Sequence, residues 1–354
     1  MIASSRLAAD RSFVLEAVRR NSSALWNADP SLKADRQFVL DAVRQNPWAL
    51  KYAYDKWKAD REIVMEAVKI SFSSLRNAAH SLKADREFVW QVVTIQGMAL
   101  EHVDASLRGD PDLVYSAVTQ NGWALRFAAA SLQADRTIVL QAVRQTVWAL
   151  QYTANSLKED RQFMLEAVRI CGFSLRFAAR PIKADREVVL EAVRRDASLL
   201  RYAEASLMAD RDLVLEAVTQ YGAALLIADP LLIRDRHFVR MAVMKNGLAL
   251  EYAPAFLSSD TEIVLEAVKS SGWAVLQCRS PEMKADPYLQ RLATRAGLPA
   301  RARAFFHYAR ELRESHLKAK VDLWLTTHNS GELLHWVDAT HLCYKRRKCR
   351  THGH

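Results

Sequence analysis

An aspartate returns at a fixed interval along this chain, and that rhythm constrains the fold more than any other feature. It stands at Asp10, Asp35, Asp60, Asp85, Asp110, Asp135, Asp160, Asp185, Asp210, Asp235 and Asp260, in steps of 25 residues, with a further copy, Asp286, one residue late. A period of this size belongs to repeat architectures, in which each unit buries its apolar face only against its neighbours.

Counting from the aspartate as position zero, position three is bulky and apolar, four is Val, seven is mostly Ala and eight is Val, as in Ile63, Val64, Ala67 and Val68. Positions four, seven and eight follow the spacing of one helix face. Three and five (usually Leu) widen that face, predicting a helix enclosed by neighbours on both sides. The aspartate predicts an N-cap, since its carboxylate accepts from the first free amides and suits the helix dipole. Position three is apolar rather than Glu, so no capping box forms. Gly97, Gly122, Gly172, Gly222, Gly247 and Gly272 fall at position twelve and predict a left-handed end to the first helix. Ala49, Leu50 and Ala53, or Ala124, Leu125, Ala128 and Leu132, predict a second helix. Two helices of about ten residues, about 15 Å each, bury too little alone. The expected fold is therefore all-α: an α-solenoid of about eleven two-helix repeats with a C-terminal helical cap.

The expected domains are a repeat array over 1–297, a helical cap over 298–344 and a basic disordered tail over 345–354. Ala3 and Leu7 match positions eighteen and twenty-two, so the chain opens inside a second helix with no polar capping repeat before it. Truncation, a covering partner and a frayed end each account for that. No 18-residue apolar run is present, so no membrane span is expected. Four scattered cysteines (Cys171, Cys278, Cys343, Cys349) make no disulfide framework and suit a reducing, cytoplasmic location. A nuclear location is the alternative, through an import signal at Lys345, Arg346, Arg347, Lys348 and Arg350.

The formal charge of +10 is unevenly placed. From Ala293 onward the chain has 12 basic and five acidic residues, leaving 38 against 35 in the array. Phosphate binding needs clustered Lys and Arg, which the tail has and the array lacks. A one-base-per-repeat reader at positions ten and eleven (Gln45 and Asn46, Gln120 and Asn121, Gln145 and Thr146, Lys245 and Asn246) is interrupted by Ile70, Ile95 and Ile170. Aromatic residues recur at positions thirteen and seventeen: Trp48, Tyr52, Trp123, Phe127, Trp148, Tyr152 and Tyr202. They form a candidate protein-binding surface, because aromatics are enriched in binding hot spots; packing between repeats is the competing account. The recurring Asp-Arg reads as cap plus inter-repeat ion pair. Arg240, where Leu is usual, reads as a snorkelling side chain or as a polar spot in a groove.

Phosphate-loop, zincin and nucleophile-elbow motifs are absent from the sequence. The recurring acids (Glu16, Asp41, Glu66, Glu166) occupy one repeat position, whereas an active site is a unique place; no enzyme activity and no cofactor are expected. His335, His341, Cys343, Cys349, His352 and His354 match no standard zinc spacing.

The motif L-x-A-D-R-x-x-V-L-x-A-V, followed by x-W-A-L-x-x-A, is clearest at Leu32–Ala53 and Leu132–Tyr152. It resembles the tandem repeats of domain of unknown function 4116, over roughly 3–292. The resemblance implies architecture and no chemistry. The reading is a non-enzymatic scaffold for protein–protein interaction; the alternative is a nucleic-acid-associated repeat protein using the basic C-terminal region.

Overall fold

The computed structural model describes residues 7–298. They fall into two compact units that divide between Ile182 and Lys183. The expected C-terminal cap and basic tail lie outside the described residues, as does the His/Cys group of the tail. The described residues are mostly helical, with no strand among them. This is the all-α repeat architecture that the period implies.

One repeat from the first unit stands for the rest. Asp60 is the N-cap of Arg61–Ile70, and its carboxylate accepts from the amides of Glu62 and Ile63 at 3.0 and 3.1 Å. Ile63, Val64, Ala67 and Val68 are fully buried, which lets packing override the weak helix preference of β-branched residues. Position five is at the rim rather than enclosed: it is buried at Leu40 and Leu165, but Trp90 and Tyr115 are about two-fifths exposed. Ten-residue helices of this kind recur in the first unit from Arg11–Arg20 to Arg161–Ile170. In the second unit they run from Arg186–Arg195 to Thr261–Ser270.

The helix does not end in a left-handed glycine. Position eleven is extended (Ser71, φ −147°, ψ 115°) and leads straight into a 3-10 helix, Phe72–Asn77. The only described glycine with positive φ is Gly297, at +95°. The position-twelve glycines serve close approach instead. A Cβ on Gly122 would stand 2.5 Å from the Ala142 carbonyl oxygen and 2.9 Å from Thr146 Cγ2, both in the next repeat.

The predicted second helix is divided. In the same repeat, the 3-10 turn gives way to extended Ala78 (φ −69°, ψ 156°) and then to a four-residue helix, His80–Lys83. Hydrogen bonding between repeats accounts for the break. The Ala79 amide donates to the Lys58 carbonyl of the preceding repeat at 2.8 Å, so it cannot continue an intrahelical ladder. The same rung recurs from Asp104 to Lys83, Ala129 to Arg108 and Ala154 to Gln133, at 2.9–3.0 Å. In the second unit it joins Glu204 to Lys183 and Asp229 to Met208, each at 2.9 Å. Side chains at position twenty-three then reach back to the carbonyls the 3-10 turn leaves open. Arg108 Nη2 donates to Glu101 O at 3.0 Å and Gln133 Nε2 to Leu125 O at 3.1 Å.

Candidate interaction surfaces

The recurring Asp-Arg pair holds repeats together. Where position one is arginine, its guanidinium commonly meets the capping aspartate of the next repeat: Arg36 with Asp60 at 2.8 Å and Arg86 with Asp110 at 2.6 Å. In the second unit Arg186 meets Asp210 at 2.7 Å and Arg236 meets Asp260 at 2.8 Å. Arg86 and the Leu113 amide hold the Asp110 carboxyl below the usual range against the opposing effect of burial. At Asp60 burial opposes ionisation, but Arg36 and the Ile63 amide outweigh it. The arginine also covers the next repeat's position-three ring, with Arg211 Cζ 5.4 Å from the centroid of Phe238. Pro111 stands where this arginine is usual and interrupts the ladder.

Positions ten and eleven are likewise engaged. Asn46 accepts from the Trp48 amide and donates from Nδ2 to Val18 O, both at 3.1 Å. Asn246 repeats this with Leu248 and Val218. Gln120 Oε1 accepts from the Gly97 amide at 2.7 Å. These side chains cap and stitch, which weighs against a base-reading stripe. Arg240 pairs with Glu262 of the next repeat at 3.2 Å and approaches Glu266 at 3.9 Å.

The aromatic positions lie along the 3-10 turns, and packing takes part of each ring. Trp123 meets Tyr152 of the next repeat with centroids 6.3 Å apart. Trp148 meets Phe173 at 5.6 Å and Phe177 at 5.7 Å. Position sixteen interleaves cations with them. Arg126 lies 4.8 Å from the Phe127 centroid and 5.7 Å from that of Tyr152. Arg176 lies 5.4 Å from Trp148 and 5.5 Å from Phe173. The structure thus brings Trp123, Phe127 and Tyr152 together around Arg126, with Trp123 36% exposed, and places Trp148 with Phe173 and Phe177 beside Arg176. Trp48 is exposed and Tyr52 half-buried elsewhere in the first unit, with Lys51 Nζ 5.4 Å from the Tyr52 centroid. Tyr202 is half-buried in the second unit.

A second surface was not singled out by the sequence reading. Two adjoining open hollows, of about 550 and 470 Å³, share Trp90 and Asp112. Arg86, Glu87 and Gln91 complete the first; Tyr115, Ser116 and Thr119 are among the residues completing the second. The signal was present in the sequence. Trp90 and Tyr115 occupy position five, where most repeats have Leu. Position six changes from acid to Gln91 and Ser116, and position nine from base to Thr94 and Thr119. In a repeat with the usual residues, Arg44 at position nine pairs with Glu66 at position six of the next, at 3.0 Å. In the deviating repeats the threonine hydroxyls turn to their own helices, Thr94 to Gln91 O at 2.8 Å and Thr119 to Tyr115 O at 2.7 Å.

Among the described residues no group of three His, Cys, Asp or Glu could hold a metal ion, and no helix is long and apolar enough to cross a membrane. The family described as Domain of unknown function (DUF4116) matches residues 35–83, 85–133, 135–181, 185–233 and 235–284, more than half of the chain. Each match covers about two of the 25-residue repeats. No curated protein and no solved structure matches the chain.

Proposed function

The chain belongs to the DUF4116 family of helical tandem repeats, and from its surfaces we propose that it is a non-enzymatic scaffold that binds other proteins. The observation that carries the reading is the edge of the 3-10 turns in the first unit. There Arg126 and Arg176 lie over the partly exposed rings of Phe127, Tyr152, Trp148 and Phe173. Trp, Tyr and Arg are the residue types that dominate binding energy when a partner desolvates them. Position sixteen of that unit holds Lys51, Arg76, Arg126 and Arg176 against the single acid Glu101, so the fitting partner presents an acidic segment. The recurring acids and bases are engaged with neighbouring repeats, which supports a binding rather than a catalytic role. A cytoplasmic location goes with the few, scattered cysteines.

The second reading, nucleic-acid association, rests on the 12 basic against five acidic residues from Ala293 onward. Affinity capture with the full chain from its native source, with and without nuclease, separates the two. Scaffold binding gives a stoichiometric protein that survives nuclease and is lost from the double variant Arg126→Glu/Arg176→Glu. Recovery of RNA with no stoichiometric protein overturns it.

A further inference from the structure

We propose that the double hollow at Trp90 and Tyr115 is a docking site for a lysine- or arginine-bearing peptide segment of a partner protein. The inference rests on the scaffold reading but uses a different face of the repeat, on the ten-residue helices Arg86–Ile95 and Pro111–Gln120. Three observations converge there.

First, the wall is aromatic and open. Trp90 is 38% and Tyr115 41% exposed, at a position that most repeats give to Leu. Flat rings of this kind take the alkyl stem of a lysine or the plane of a guanidinium. The chain supplies its own instance: Arg86 Cζ lies 5.8 Å from the centroid of Trp90. Second, the charge is of the right sign. Glu87 and Asp112 line the first hollow with side chains 77% and 75% exposed; Arg61 Nη1 lies 3.9 Å from Glu87 and Arg86 Nη2 3.2 Å from Asp112, and each carboxylate keeps exposed surface for a further partner. The one lining cation, Arg86, is shared between Asp110 at 2.6 Å and Asp112 at 3.2 Å. Third, the inter-repeat charges that would compete have gone: Gln91, Ser116, Thr94 and Thr119 replace them. Each hollow is within the size range of ordinary ligand sites, about 300–1,000 Å³.

A protein with a net charge of +10 repels basic peptides in general, so affinity for one reports a local site. The test uses the purified full chain and a fluorescein-labelled octapeptide alternating lysine and alanine, with the uncharged glutamine analogue as control. Anisotropy titrations at two salt concentrations read the affinity. The lysine peptide binds and the glutamine peptide does not. Trp90→Leu/Tyr115→Leu, which restores the residue usual at that position, weakens binding at least tenfold; so does Glu87→Gln/Asp112→Asn. The proposal is overturned by no binding of the lysine peptide, by equal binding of the glutamine peptide, or by unchanged affinity in either double variant. Arg126→Glu/Arg176→Glu tests the other face. Capture that survives in that variant, with octapeptide binding intact, sinks only the 3-10-turn reading; capture lost there with no octapeptide binding by the parent chain sinks only this one.

Discussion

Gly122→Ala tests directly how successive repeats are held. Gly122 opens the 3-10 helix Gly122–Phe127, and its φ does not lie in the left-handed region. Alanine is therefore acceptable to the backbone, and the substitution isolates one contact. The new Cβ would stand 2.5 Å from Ala142 O, 2.9 Å from Thr146 Cγ2 and 3.1 Å from Gln145 Cβ. A carbon–oxygen approach of that length lies well inside van der Waals contact. The two repeats must part, and Ala124, Leu125 and Ala142, all fully buried, lie at the seam. Overpacking of this kind costs about 1–3 kcal/mol, offset by roughly 0.4–1 kcal/mol from the less flexible unfolded chain. The net loss is about 1–2 kcal/mol, a factor of roughly 5–30 in local opening. Native-state hydrogen exchange reads it at one amide, because the struck carbonyl accepts from Thr146 N at 2.9 Å. Gly109→Ala is the control: its new Cβ meets only Ala129 Cβ, at 3.8 Å, so stability holds or rises. Unchanged protection at Thr146, or equal losses from the two substitutions, refutes the close-approach account.

Three other outcomes follow from the same geometry. Phe238 is fully buried, so Phe238→Ala lowers stability by about 3–5 kcal/mol, read as a fall in the urea midpoint of the second unit. Asn46→Ala removes both the cap on Trp48 N and the bond to Val18 O; a loss of about 1–2 kcal/mol follows, and Asn46→Asp recovers the cap alone. The capping carboxylates of Asp60, Asp85, Asp110, Asp210, Asp235 and Asp260 all titrate below their ordinary value. A depressed folded pKa favours the native state above the unfolded value of about 3.9. The thermal midpoint is therefore level from pH 7 to 5 and drops as pH falls below about 4; a midpoint that rises on acidification contradicts this.

The parts of the fold legible in the sequence were those governed by one helix at a time. The aspartate cap and the buried stripe at Val64, Ala67 and Val68 follow from rules internal to a helix, and the structure has them. The inter-repeat ion pair was legible because an arginine follows the aspartate in most repeats, so the offset from Arg36 to Asp60 returns along the chain. The division of the second helix was not. Its cause is the bond from Ala79 to Lys58, between residues whose proximity exists only once repeats stack. The glycine error had a visible warning. Pro47 and Val147 share position twelve with Gly122, and neither residue accepts a left-handed backbone. The Trp90–Tyr115 hollow was missed for a related reason: averaging the repeats into one pattern hides the copies that depart from it.

Those departures separate function from construction. Asp60, Arg36 and Asn46 are each committed to a neighbouring repeat, and the position-twenty-three side chains to the 3-10 turn of their own. Trp90 and Tyr115 are instead about two-fifths exposed at a position that most repeats give to Leu. A residue kept for binding and a residue kept for packing respond oppositely to Trp90→Leu. If Trp90 serves a partner, the leucine variant keeps the parent's thermal midpoint or exceeds it, while affinity for the lysine octapeptide falls at least tenfold. If Trp90 serves the stack, removing a ring of that size costs about 2 kcal/mol or more, and hydrogen exchange in Arg86–Ile95 accelerates to match. Measuring midpoint and affinity on the same variant decides between them, because no single role lowers affinity and leaves the helix as stable as before except the first.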